Sequence, residues 1–215
     1  MTFRRLRWAL ALLVVAAAAG YFASEPILRS MGRALVVDEP LSPADIIVVS
    51  GYTEGAGTLE AADLVQSGIA QRVAVFVDPP AGEDLEFIRR GLPYEDRAAM
   101  QIRQLKSLGV TDIVQIPMPD AGTRSESQML PQWSEEHGFR SIVMIASADH
   151  SRRLRRVLDR TMAGRPTRVT VHRTRYASFD PDRWWHTRHD TRTAIVELQK
   201  LVWDFVQHPN LFGAR

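Results

Sequence analysis

The chain has 215 residues, 45% of them hydrophobic and 24% charged, a balance that suits one folded domain with its own core and excludes a disordered chain. Its formal net charge is only +2, and Arg4, Arg5 and Arg7 account for that excess at the extreme N-terminus, so there is no global positive field for a nucleic-acid backbone. Cysteine is absent, which excludes disulfides, thiolate metal sites, thiol nucleophiles and lipid attachment through cysteine.

Residues 1–7 form a basic tail. Trp8 to Ala23 then carries no charge and is almost wholly apolar. As a helix it spans roughly 24 Å at about 1.5 Å per residue, slightly short of a full bilayer crossing. Trp8 at one end and Tyr21-Phe22 at the other suit the two interfaces. The arginines on its N-terminal side put that end in the cytoplasm and the rest of the chain outside. The expectation is an uncleaved transmembrane anchor over 8–23. A cleaved signal peptide is the alternative, although Tyr21 occupies the −3 position of a cut before Ser24. Residues 24–43 read as a connector whose prolines, Pro40 and Pro43, argue against a continuing helix.

From residue 44 a regular alternation begins. Ile46 to Val49 is a short, wholly apolar run, the mark of a strand buried on both faces. Leu59 to Ser67 reads as a helix stopped by Gly68, and Val73 to Val77 as a second strand. Tyr94 to Leu108 reads as a helix stopped by Gly109, and Ile113 to Ile116 as a third strand. Thr123 to His137 is a helix, Ile142 to Ala146 a fourth strand and Ser151 to Met162 a helix. Val169 to Val171 is a fifth strand, and Thr191 to Val206 a last amphipathic helix. Alternating strands and helices with short connections predict an α/β domain over 44–207, with a mainly parallel sheet covered on both faces, and a tail at 208–215. Ligands of such sheets bind beyond the carboxyl ends of the strands.

Three strand-end segments are therefore candidates. After the first strand, Ser50-Gly51-Tyr52-Thr53-Glu54-Gly55-Ala56-Gly57 offers glycines at a helix start, which suits an anion or a close backbone approach, or simply a flexible turn. It matches neither the dinucleotide fingerprint nor a Walker loop. After the third strand, Thr123 and Glu126 have the spacing of a capping box, and the same helix start could hold an anion. After the fourth, Ser147-Ala148-Asp149-His150 runs into Arg152, Arg153, Arg155 and Arg156. His150 and Arg153 share a helix face and could hold a phosphate or carboxylate; the other arginines read as a solvated basic face.

A hydrolase triad from Ser147, Asp149 and His150 is disfavoured, because neighbours in sequence rarely converge and no G-x-S-x-G elbow exists. His172, His186 and His189 are scattered, and no metal site is expected from them. Trp184-Trp185 could clamp a ligand, touch a bilayer or close the core, the last being favoured. Glu197 and Lys200 read as a pair on the surface of the last helix.

These pieces, in order, resemble the YdcF/SanA/ElyC-like family of bacterial envelope proteins. Ala44 to Gly51 resembles its opening "ADAIVVLGG". Glu60-Ala61-Ala62 resembles its first helix, and Glu95 the acidic residue that starts its second. Thr123 and Glu126 fit its T-x-x-E-N element, and Ser147 to Arg153 its "TS-x-x-H-x-x-R" motif. Trp184-Trp185 with Glu197 and Lys200 fits its C-terminal signature. The resemblance covers about residues 37 to 206. It departs from the family at Tyr52, where a second glycine is usual, at Ser127, where asparagine is common, and near Thr58, where an arginine is usual.

The resemblance implies a Rossmann-like α/β/α fold and a role in envelope integrity, peptidoglycan assembly or lipid-carrier metabolism. It brings no established reaction and no known cofactor. Together with the anchor it implies a single-pass protein of the bacterial plasma membrane. The leading expectation is a phosphorylated envelope intermediate bound by Ser50, Gly51, Thr123, Ser147, His150, Arg153 and Trp185. Glu95, Glu126 and His150 would be the catalytic groups if a phosphate ester or pyrophosphate is hydrolysed. The alternatives are a non-catalytic module that recruits envelope-synthesis proteins, and a nucleotide or S-adenosylmethionine binder.

Overall fold

The structure is a computed structural model, and it describes residues 24–209. The domain is α/β, with five strands: β1 (Ile46–Val49), β2 (Arg72–Val77), β3 (Asp112–Pro117), β4 (Ser141–Ala146) and β5 (Arg168–Arg173). All neighbours pair in parallel, in the order β3-β2-β1-β4-β5, consistent with a Rossmann-like sheet. Every residue of β1 is fully buried, as expected of the central strand of a sheet covered on both faces.

Alternate residues of each strand serve opposite faces. Ile46 and Val48 pack with Leu130 and Trp133 of α5 (Thr123–Glu136) and Leu154 and Leu158 of α6 (Ser151–Thr161). Ile47 and Val49 pack with Ala61 and Ala62 of α2 (Glu54–Gln66) and Leu105 of α4 (Arg97–Ser107). The helices that follow β1 and β4, α2 and α6, thus lie on opposite faces, which opens a crevice at the carboxyl ends of those strands.

The expected connector is a built part of the domain. Within the described residues, 24–34 are helical (α1), because Pro40 and Pro43 lie beyond the helix and interrupt nothing in it. Gly32 lets α1 lie against the carbonyl oxygen of Pro181 and the ring of Trp184, where a Cβ would sit 2.1 and 2.6 Å from them. Residues 35–39 then run along α6 and the free edge of β5. Val37 N–H donates to Ser151 Oγ at 2.7 Å, Glu39 N–H to the Val171 carbonyl at 3.0 Å, and Val171 N–H to Glu39 Oε2 at 2.6 Å. An edge strand that would otherwise offer unpaired backbone is thereby covered.

Other boundaries differ for local reasons. α2 begins at Glu54, so the glycine-rich segment is its first turn and not a free loop. α4 begins at Arg97 because Asp96 Oδ1 caps Ala99 N–H at 2.6 Å, which leaves Glu95 ahead of the helix. An additional short helix, α3 (Gly82–Arg89), has no buried residue and so no apolar periodicity to announce it. The last helix, α7 (Arg188–Gln207), packs Ala194, Leu198 and Leu201 on Trp184, Phe179 and Leu35. Trp184 is 3% exposed, so the tryptophan pair closes the core. Among the described residues no helix is long and apolar enough to cross a membrane; the Trp8–Ala23 segment lies outside them.

Gly57 shows how tightly α2 seats on β1. A Cβ there would lie 1.9 Å from Thr53 Oγ1 and 2.9 Å from Val49 Cγ1. Gly57→Ala is expected to cost about 2 kcal/mol by overpacking, read as a fall of roughly 4–8 °C in the thermal midpoint. Gly55→Ala, where a Cβ meets nothing within 4 Å, is the comparison that leaves the midpoint in place.

Candidate functional site

An open cleft of about 640 Å³ lies at the carboxyl ends of β1, β4 and β5. One wall is the first turn of α2 with Glu54, Gly55 and Ala56. Ser147 and Asp149 follow β4, Tyr176 to Phe179 follow β5, and the first turns of α7 supply His189, Asp190 and Arg192. Two features mark it as more than a surface dent. Glu54, whose exposed carboxylate lines it, has φ 46° and ψ −137°, a conformation that costs a non-glycine residue about 1–3 kcal/mol. The N-cap of α2, Thr53, makes no capping bond; its hydroxyl donates instead to the Ser50 carbonyl at 2.6 Å. The first N–H groups of α2 are therefore left without a side-chain cap beside the cleft.

Beneath the cleft lies a second, sealed layer. Ser50 Oγ donates to Glu126 Oε2 at 2.9 Å, and Gly51 N–H to Glu126 Oε1 at 3.0 Å. This carboxylate thus joins α5 to the end of β1. It closes no capping box: the N-cap is Gly122, at φ 119°, and Thr123 is already the first helical residue. Burial raises the pKa of Glu126, with the Asp78 charge adding to the rise, against the lowering effect of Ser50, Gly51 and Arg97.

His150 is fully buried. Its Nδ1 lies 2.9 Å from Arg153 Nη2, and its Nε2 lies 3.2 Å from Thr123 Oγ1. A guanidinium can only donate, so Nδ1 accepts and the proton sits on Nε2, directed at Thr123. Burial lowers the pKa of His150, and the Arg153 charge lowers it further, outweighing the Glu197 carboxylate. The ring is therefore neutral. Tyr52 stacks over it, the centroids 4.9 Å apart and 25° from parallel, and Lys200 Nζ lies 5.8 Å from the Tyr52 ring.

Arg153 is likewise engaged. Its Nε donates to Glu197 Oε2 at 2.8 Å, and Lys200 Nζ donates to Glu197 Oε1 at 2.7 Å. Glu197 is 4% exposed, so the expected surface pair is a buried junction. Burial works to raise its pKa, but the bonds from Arg153 and Lys200, with the Arg153 charge, prevail and hold the carboxylate well below its ordinary range. The neighbouring arginines are not a free basic face either. Arg152 Nη2 donates to the Val36 carbonyl at 2.9 Å, Arg155 Nη1 to the Val169 carbonyl at 2.6 Å, and Arg156 Nε to Asp204 at 2.7 Å.

Of the residues expected from sequence, Ser50, Gly51, Thr123, Glu126, His150 and Arg153 do converge, but in the sealed layer. The open cleft is lined by Ser147, by Asp149 and by Tyr52 to Ala56 of the expected segment after the first strand. Glu95 is exposed and paired with Arg103. Trp185 packs against the Trp184 cluster. His172 lies on β5 between Asp38 and Glu60, at 3.0 and 3.1 Å. Among the described residues no group of three histidines, aspartates or glutamates is placed to hold a metal. The residues that sequence reasoning missed are Asp190 and Arg192, and Glu54 stood in a candidate segment without a role of its own. Asp190 follows Thr187 at capping-box spacing, and Thr187 Oγ1 does accept its N–H at 3.0 Å; that signal reads as a helix start and says nothing of the carboxylate.

The sealed layer has a pH signature. His150 stays neutral in the fold, so stability present above its ordinary value of 6.5 is lost as pH falls toward the lowered folded value. Glu126, raised in the fold, acts with the opposite sign, and Glu197 titrates far below. Comparison with His150→Gln isolates the histidine. Between about pH 7 and pH 5 the wild type is expected to lose about 1 kcal/mol more than His150→Gln in denaturant unfolding. Parallel profiles would show that the histidine titrates in the fold as it does in the unfolded chain.

No protein-family model matches this chain, and no curated protein matches it.

Proposed function

We propose that this chain is a membrane-anchored cell-envelope protein whose strand-end cleft binds a phosphorylated ligand. The observation that carries the binding reading is the first turn of α2. Gly55 and Ala56 line the cleft, their helix start has no side-chain cap, and a helix N-terminus attracts anions through its free N–H groups and dipole. Arg192 lines the same cleft and forms no ion pair with any described residue, so its guanidinium is available to a phosphate. The envelope setting rests on the uncharged Trp8–Ala23 segment behind three arginines and on the ordered motifs shared with the YdcF/SanA/ElyC-like family.

The anion partners are therefore Arg192 and the α2 start. His150 and Arg153 serve the reading indirectly, by fixing α7 and with it Arg192. Hydrolysis needs a group to take a proton from water. Glu126 is sealed and Glu95 is outside the cleft, so Glu54, Asp149 and Asp190 are the carboxylates within reach of a ligand. Binding itself requires none of this chemistry.

The test is thermal unfolding of the protein with inorganic phosphate and with a prenyl phosphate. A ligand at about 100 times its dissociation constant adds about 2.7 kcal/mol, a rise of roughly 5–10 °C for a domain of this size. The rise is expected in the wild type and lost in Arg192→Ala. If neither compound shifts the midpoint, the exposed face of α7, with Val202, Trp203 and Val206 at 60–66% exposure, becomes the ground for a recruiting module. The anchor has its own check: the full chain is expected to stay with membranes through alkaline extraction, and a chain beginning at Ser24 to be released.

A further inference from the structure

Two polar side chains in the cleft have no partner among the described residues. Asp190 is 7% exposed and Ser147 8%, and both line the cavity. The Asp190 carboxylate forms no hydrogen bond or ion pair with any described residue, and neither does the Ser147 hydroxyl. Set more than nine-tenths into the wall and open only to the cleft, both groups present their hydrogen-bonding capacity to whatever fills it. Asp190 stands in the first turn of α7 and Ser147 directly follows β4, so the geometry is held in place before any ligand arrives.

An ionised carboxylate only accepts. What it lacks is a donor, and a phosphate dianion has none to give. The ligand that completes the site must therefore carry donors beside its phosphate. Hydroxyls meet this need at both positions, since Ser147 can donate or accept and Asp190 accepts. An ammonium is the other donor, but Arg192 lines the same cavity and disfavours a second cation there. Tyr176, 45% exposed, and Phe179 line the β5 side and provide ring surface for the carbon skeleton of a polyol.

Resting on the phosphate-binding reading, we infer that the cleft is a polyol-phosphate site: Asp190 and Ser147 bind hydroxyl groups of a sugar-like moiety whose phosphate lies toward Arg192 and the start of α2. Asp190 sets specificity. A site built to hydrogen-bond a hydroxyl rejects analogues that lack it, because its own buried group is then left unpaired.

The experiment is calorimetric titration of the full chain with inorganic phosphate, glucose 1-phosphate and ethanolamine phosphate, repeated with Asp190→Asn and Ser147→Ala. Glucose 1-phosphate is expected to bind at least about ten-fold more tightly than inorganic phosphate, the worth of a hydrogen bond to a charged group. Asp190→Asn should remove that advantage while leaving inorganic phosphate within about two-fold of the wild type. Ser147→Ala supplies the same comparison from the β4 side if the asparagine variant does not fold. Equal affinity for the two compounds in the wild type overturns the polyol inference and leaves the phosphate cleft standing. Preferential binding of ethanolamine phosphate, lost in Asp190→Asn, overturns the hydroxyl assignment in favour of an ammonium. Binding of none of the three overturns the phosphate reading and the inference with it.

Discussion

The ion pair between Arg153 and Glu197 is the contact on which the functional face of this domain depends. It joins α6, which follows β4, to α7, which follows all five strands, across 44 residues of sequence. Both partners are largely buried, at 15% and 5% side-chain exposure. Taking such charges out of water is costly, and the arrangement is tolerable because both carboxylate oxygens of Glu197 receive donors. Arg153 divides its donors between Glu197 and His150, and Lys200 completes the carboxylate. α7 is also held by its apolar contacts to Trp184, Phe179 and Leu35 and, toward its far end, by the ion pairs of Asp204 with Arg156 and Arg160 of α6. The Arg153–Glu197 junction is the polar tie nearest the cleft, and with the Asp204 pairs it fixes the rotation that brings Asp190 and Arg192 to the cleft.

A consequence is that the most chemically suggestive residues are scaffold. His150 has a hydroxyl on one nitrogen and a carboxylate near the other, with Nδ1 3.5 Å from Glu197 Oε2, an arrangement that resembles a nucleophile–base–acid set. Arg153 stands closer, at 2.9 Å, and demands the lone pair that would have to carry a proton for such a relay. The imidazole is thus held in the tautomer that donates to Thr123 and cannot accept from it. Tyr52 closes the layer from the solvent side. Bonded at both ring nitrogens, the buried imidazole ties the start of α5 to α6, and Glu126 ties α5 to the end of β1.

The cleft above it has the opposite character. Glu54 keeps an unfavourable backbone conformation, α2 forgoes its cap, and Asp190 and Ser147 have side chains without partners among the described residues. Each of these carries a cost that a well-packed surface would avoid, and together they concentrate at the switch point of the sheet, where doubly wound folds receive their ligands. Satisfaction below and deficit above is the physical pattern of a preformed site on a rigid support.

The amino-acid sequence by itself determined the succession of strands and helices, the central place of Ile46 to Val49, and the concentration of polar residues at the carboxyl ends of β1, β3 and β4. Apolar periodicity reports these because it is local: a four-residue wholly apolar run has few ways to be buried. It could not report α3, which buries nothing, or the start of α2, which turns on Thr53 bonding backward to Ser50. Only the tertiary structure decided which candidates face a ligand. His150 and Arg153 look like an anion site along the chain because their spacing places them on one helix face. Their fate was settled by Glu197, 44 residues away, and by Tyr52 lying over the ring. Asp190 and Arg192 carry no motif, yet α7 docks with them against the cleft. Charge pairing over such separations depends on how helices pack in three dimensions, and no spacing rule within one helix encodes it.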